Sequence, residues 1–146
     1  MQQRQYGQSI LSLPIGVITP GTTLRMWLTT GQKQLKMQAS MTADSAGLLM
    51  LYGEDAVQGA GGTAITPGAF NRNEEDTPDF TLNFGASETA PGTTISAYFS
   101  GGNEAKTNIH DTEIVLKTET VYQFSLTNTT GSNIIGELNF FWTQDA

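Results

Sequence analysis

Short segments with an apolar residue at every second position recur along nearly the whole chain, and Gly, Pro, Asn, Asp and Thr separate them instead of helix formers. A period of two is the spacing of side chains along one face of a strand, so the pattern predicts strands with one buried face each. Leu24, Met26 and Leu28 alternate with Arg25, Trp27 and Thr29, and Leu35, Met37, Ala39 and Met41 with Lys36, Gln38 and Ser40. The rule repeats in Phe80, Leu82 and Phe84, in Ile95, Ala97 and Phe99, in Tyr122, Phe124 and Leu126, and in Leu138, Phe140 and Trp142. About eight to ten strands follow from this reading. The predicted fold class is all-β, an antiparallel β-sandwich resembling a jelly roll.

The chain has 146 residues and no cysteine. That length suits one domain, and without disulfides the fold must rest on strand pairing and apolar burial, which favours maturation in a reducing cytoplasm. The opening Met1-Gln2-Gln3-Arg4-Gln5-Tyr6 has no apolar core of a secretory signal, and no run of apolar residues is long enough for a bilayer-spanning helix. Neither secretion by a standard signal nor a membrane partner is expected. The net charge of −7 opposes binding to nucleic-acid phosphates. Charge is also divided along the chain. Residues 1–43 carry Arg4, Arg25, Lys33 and Lys36 with no acid, whereas all fourteen acids lie in the remainder beside three bases. A basic first part either docks on an acidic partner or neighbouring subunit, or places four solvated charges on outward strand positions.

Two domain-level features stand out. Residues Met1 to Gln8 are polar and Gln-rich and read as a flexible N-terminal arm, with a first strand expected from Ser9 to Leu13 and the single sandwich domain running from residue 9 to 146. Gly31-Gln32 separates two long alternating segments at a spacing that suits a tight hairpin, and Thr129 to Asn133 reads as a second hairpin before the last strand. Between Glu54 and Pro78 the alternation stops, with one short strand near Thr63 to Thr66, and a second irregular stretch spans Gly101 to Thr112. Loops of that length inside a compact domain are usually functional.

Catalytic chemistry has little to build on. The single histidine, His110, lies in a polar stretch, and no Ser has the setting of an activated nucleophile. Zinc sites of several His or Cys ligands are excluded by count, and no cofactor is expected. Asn71, Asn73, Glu74-Glu75-Asp76 and Asp79 offer oxygen ligands for calcium, although the spacing matches neither the EF-hand loop nor a calcium-binding nonapeptide repeat and a solvated acidic loop is the better reading. Glu54-Asp55 or Glu74-Glu75 would be the carboxylates of a glycosidase, yet neighbours on a strand point to opposite faces. Gly59-Ala60-Gly61-Gly62-Thr63 lacks the Lys-Ser/Thr ending of a phosphate loop. Trp27 and Tyr98 project opposite the apolar rows of their strands, where they pack beneath a loop, meet another subunit or stack on sugar.

A resemblance extends from Gly21 to the C-terminus. It is carried by Gly21-Thr22-Thr23-Leu24, by Leu51-Tyr52-Gly53-Glu54-Asp55-Ala56-Val57 running into Gly61-Gly62-Thr63-Ala64-Ile65-Thr66-Pro67, and by Phe70-Asn71-Arg72-Asn73. Val121 to Ser132 and the aromatic Asn139-Phe140-Phe141-Trp142 complete it. In this order the segments resemble the small decoration, or cement, proteins of tailed-bacteriophage capsids. The resemblance implies a non-enzymatic virion protein, made in the host cytoplasm, that sits on the capsid surface and bridges neighbouring capsid subunits. Its partners would be the major capsid protein and copies of itself, a trimer being preferred over a dimer. Arg4, Tyr6, Trp27, Asn71, Arg72 and Asn73 are the expected protein-interface residues, Arg72 pairing with a carboxylate or with backbone carbonyls, unless Asn71-Arg72-Asn73 is instead an asparagine-rich turn that ties down its loop by local side-chain bonds. The alternative from another class is a carbohydrate-binding sandwich of a tail spike or adhesin.

Overall fold

The computed structural model describes residues 3–9, 17–65, 68–69, 78–99, 107–110 and 113–145. They form fifteen strands and no helix. In chain order these are β1 (Gln3–Ser9), β2 (Val17–Ile18), β3 (Thr23–Thr30), β4 (Leu35–Ala43), β5 (Leu48–Glu54), β6 (Val57–Gln58), β7 (Thr63–Ile65), β8 (Gly68–Ala69), β9 (Phe80–Phe84), β10 (Glu88–Ala90), β11 (Thr93–Phe99), β12 (Thr107–His110), β13 (Ile114–Leu116), β14 (Val121–Asn128) and β15 (Ile134–Asp145).

The pairing is that of one long hairpin folded over on itself. β1 pairs with β15, β3 with β14, β4 with β12 and β13, and β5 with β11, each antiparallel. Folding that ladder over adds the pairs β15·β4 and β14·β5, giving two sheets in the orders β1-β15-β4-β12 and β3-β14-β5-β11. Two sheets linked in this manner are the double Greek key of a jelly roll. The segment between β5 and β11 is an insertion. Its strands β9 and β7 extend the second sheet beyond β3, β8 extends the first beyond β1, and β6 and β10 pair with each other.

Inward residues of both sheets meet in one core. Met26 and Leu28, Leu35 and Met37, Phe80 and Leu82, Tyr122, Phe124 and Leu126, and Phe140 and Trp142 are all buried there, as the alternation predicts, together with Met50 and Tyr52. Aromatic rings connect the sheets: Phe124 lies 5.0 Å from Tyr52 edge-on and 4.9 Å from Phe140, Phe140 stacks on Trp142 at 5.5 Å, and Phe80 sits 5.2 Å from Trp142. Such contacts add about 0.5–1.5 kcal/mol each beyond area burial.

Four expectations need correction or qualification. Neither expected hairpin exists: β3 and β4 lie in different sheets, as do β14 and β15. Their apolar rows face each other across the core instead of lying side by side. The first crossing is pinned by Asp79, whose carbonyl accepts from Gly31 N (3.0 Å) and whose carboxylate accepts from Lys33 N (2.8 Å). A Cβ on Gly31 would collide with that carboxylate and carbonyl. Secondly, Ile95 and Ala97 are exposed rather than core residues. A bulge between Thr94 and Ser96 shifts the register, aligning Tyr98 with buried Met50 and Ala97 with half-buried Leu51. Thirdly, the segment expected as an arm supplies β1, whose backbone pairs with β15 from Gln3↔Asp145 to Ser9↔Asn139. The surface that orders this polar stretch is the last strand of the same chain. The strand expected over Ser9 to Leu13 lies mostly outside the described residues, and part of the stretch expected to be irregular from Gly101 to Thr112 forms β12.

Candidate functional site

The outer side of β3 and β14 is roofed by the insertion. Backbone bonds fasten it, Ala56 N donating to Val121 O (3.1 Å) and Gly85 N to Arg25 O (2.9 Å), while Gly59 N donates to Ser87 O (2.7 Å) within the insertion. Beneath the roof Trp27, Ala56 and Ala86 form a second apolar cluster against Val121. Trp27 is 1% exposed and its indole Nε1 donates to Ala86 O at 3.0 Å. It therefore packs beneath a loop and is removed from the interface residues. Next to it Arg25 Nε donates to Gln123 Oε1 (2.9 Å), Gln123 Nε2 donates to Glu88 Oε2 (2.9 Å), and Arg25 and Glu88 lie 3.6 Å apart. One of the four N-terminal bases is thus engaged within the chain, in a pair exposed enough to contribute under about 1 kcal/mol.

A second polar cluster closes the end of β5. Lys117 Nζ lies 2.7 Å from Glu54 Oε1, Tyr122 Oη donates to Glu54 Oε2 (3.2 Å), and Lys117 N donates to Tyr122 Oη (2.8 Å). The hydrogen bond from Lys117 holds the Glu54 carboxyl below its ordinary pKa, against the opposing effect of burial, and raises that of Lys117 in return. Burial, with the nearby Glu54 carboxylate, pushes the Tyr122 phenol up to about 12. Each group is fixed in its resting charge state. A glycosidase acid needs a raised carboxyl pKa, and Glu54 moves the other way. Asp55 is its neighbour in an exposed turn with φ 58°.

The remaining candidates divide by position. Asp79 is a structural clasp: its amide donates to Gln144 Oε1 (2.8 Å) while its oxygens hold Gly31 and Lys33. Asn71, Arg72 and Asn73, and Glu74 to Asp76, lie outside the described residues. Among the described residues no group of three or more His, Asp or Glu stands ready for a metal ion. The Gly59–Gly62 stretch is a packing joint, since a Cβ on Gly59 would meet Ser87 and one on Gly62 would meet Asn83 and Ala86. The backbone register sets Tyr6 opposite Trp142 and Arg4 opposite Gln144, both core-facing positions of β15, and sets His110 opposite Ser40.

Two outward surfaces carry apolar groups. On the β1-β15-β4 sheet Phe141 is 44% exposed, with Ile135 and Val115 exposed farther along the same face. On the other sheet exposed Ala97 of β11 is opposite half-buried Leu51 of β5, with half-buried Leu49 two positions along and exposed Ile95 at the bulge. The alternation argument misses this second surface because it places Ile95 and Ala97 inside. A signal for it exists in Leu48-Leu49-Met50-Leu51-Tyr52, a strand apolar on both faces.

No family model matches the chain, and no curated protein matches it. Among solved structures it is similar to a chain of the T=1 particles derived from infectious bursal virus, at 9% identity and a TM-score of 0.28, over 98% of this chain. This chain spans 40% of the length of that one. A likeness at that score carries no argument, and the readings below stand on the residues and the strand order.

Proposed function

We propose that this chain is a structural virion protein that decorates a tailed-phage capsid and stabilises it by bridging neighbouring capsid subunits. The observation that carries the reading is the folded-over hairpin itself, in which β1-β15-β4-β12 and β3-β14-β5-β11 make a jelly roll. Viral shells and lectins both use that architecture, and the family resemblance of the sequence selects the shell. The polar groups traced above are engaged in holding the insertion and the strand ends, a use that suits a rigid building block.

The outward face around Phe141 supplies the shell contact in this reading. Phe141 aligns with Gln38 on one side and Gly7 on the other, and Thr143 with Lys36 and Gln5, so a partly exposed aromatic lies on this outward face. Buried aromatic anchors dominate the energetics of many interfaces, and many weak copies sum to strong attachment on a repeating surface. Asn71, Arg72 and Asn73 remain contact candidates with the major capsid protein. The chain acts on the capsid surface after synthesis in the host cytoplasm, with neither nucleic acid nor membrane as a partner. No described helix is long and apolar enough to cross a membrane.

Co-sedimentation with emptied, expanded capsids of the source phage, with unexpanded procapsids alongside, tests the proposal. Saturable binding to expanded shells, weakened by Phe141→Ala and by Arg72→Ala, is expected. Absence of binding to either shell overturns it and returns attention to glycan binding. Trp27 and Trp142 are each 1% exposed, so the carbohydrate alternative has lost Trp27 as a stacking platform.

A further inference from the structure

Among the described residues, three of the four edges of the two large sheets end in short strands. β8 has two residues, β7 three, and the β12/β13 edge is divided into pieces of four and three. The fourth edge, β11, has seven residues, Thr-Thr-Ile-Ser-Ala-Tyr-Phe, and among the described residues it is bonded on one side only, to β5. Soluble proteins blunt such edges with Lys, Pro, brevity or a bulge, because unpaired N–H and C=O groups recruit another strand. β11 has neither Lys nor Pro. Its bulge ends at Ser96, and Ser96 to Phe99 continue in unbroken register with Tyr52 to Leu49.

The middle of the sheet behind this edge carries no charge either, the nearest being Glu54 opposite Thr93 at one end of β11, paired with Lys117, and Arg25 on β3 beyond Ser125, paired with Glu88. β11, Leu48 to Gly53 of β5, and all of β14 contain no Asp, Glu, Lys or Arg. The outward row brings Ile95, Ala97, Leu49 and Leu51 beside Ser125 and Thr127. We infer that β11 pairs edge to edge with β11 of a second copy, forming an isologous two-fold dimer in which the two β3-β14-β5-β11 sheets become continuous.

A second copy is the occupant that fits the charges. Two chains of net charge −7 repel wherever their acids meet, and this uncharged margin is where they approach at least electrostatic cost. An oppositely charged partner would find nothing here to pair with. An antiparallel strand edge is also its own complement under a two-fold axis, as an isologous contact requires. The inference rests on the strand ladder and the charge map, and is independent of the capsid reading. It favours a dimer over the trimer expected from the sequence.

Sedimentation velocity of the purified full chain over a range of concentrations tests it, with no capsid present. The wild type is expected to sediment as a dimer, and Ala97→Lys and Ile95→Lys as monomers with unchanged far-UV spectra. Val115→Lys, on the edge of the other sheet, is the control and should stay dimeric. Ile95→Lys, at the bulge, decides the matter if Ala97→Lys fails to fold. A monomeric wild type, a trimer, or a dimer that survives both substitutions overturns the inference.

Discussion

The indole N–H of Trp27 on β3 donates to the carbonyl of Ala86 in the insertion, 3.0 Å away, and this bond ties the roof to the sheet it covers. Trp27→Phe keeps most of the apolar contact but leaves that carbonyl without its donor, so a loss of about 1–3 kcal/mol is expected. Trp27→Ala adds a cavity and should cost about 3–5 kcal/mol. Urea unfolding monitored by circular dichroism measures both, and Phe→wild-type equivalence would show that the bond contributes nothing.

Asn128 is fully buried and uses every polar atom of its side chain. Nδ2 donates to Ile18 O (2.8 Å) and Ser132 O (2.7 Å), while Oδ1 accepts from Thr130 N (2.9 Å) and Thr130 Oγ1 (2.7 Å). Asn128→Asp would aim a carboxylate oxygen at two carbonyls, favouring the protonated acid in the folded state. A folded pKa raised above the unfolded one keeps stability at low pH and loses it as pH rises. The variant is therefore expected to be more destabilised at neutral pH than in mild acid, as denaturation at the two pH values would reveal.

The Glu54, Lys117 and Tyr122 cluster makes stability fall at both ends of the pH scale. Glu54 has a folded pKa below its ordinary value, so its contribution is present above the unfolded pKa and is lost as acid brings the pH through the folded one. Tyr122, raised to about 12, contributes below its unfolded pKa near 10 and loses that contribution between the two values. In Glu54→Gln the acid-side loss should shrink. Titration of phenolate absorbance should lose its step near pH 12 in Tyr122→Phe, and an unchanged curve would contradict the assignment.

Gly31 sits against Asp79 with no room for a Cβ, although its backbone is otherwise ordinary. Gly31→Ala should force the crossing from β3 to β4 away from Asp79, costing roughly 1–3 kcal/mol as an overpacked site does. Asp79→Ala should be destabilising too, and the double variant less so than the sum, because both disrupt one joint. Additive losses would argue against that coupling.

Removing residues 1–9 deletes the ladder between β1 and β15. At about 1 kcal/mol net per hydrogen bond and roughly one bond per paired residue, a loss of several kcal/mol is expected. A truncated chain with an unchanged melting temperature would restore the view of this segment as an arm.

The alternation of Met26 with Trp27, or Phe124 with Gln123, revealed which residues face the core because period-two burial is local. Sheet membership was not legible. Gly31-Gln32 has the length of a hairpin, but the contacts that make it a crossing come from Asp79, far along the chain. The burial of Trp27 and Gln123 was hidden for the same reason, since their cover is supplied by residues 56–88. The bulge at Ile95 left no trace in the alternation, and shifting one residue turned an expected core row outward. The polar β1 is held by backbone pairing, to which side-chain patterning is blind.

The central claim is that the chain stabilises a capsid by binding across its subunits, and the thermal transition of expanded shells with and without saturating protein tests it most directly. A ligand that binds the intact shell and not its separated subunits must raise that transition. A rise that saturates with added protein and diminishes for Phe141→Ala is expected. A transition temperature that stays constant at full occupancy would contradict it.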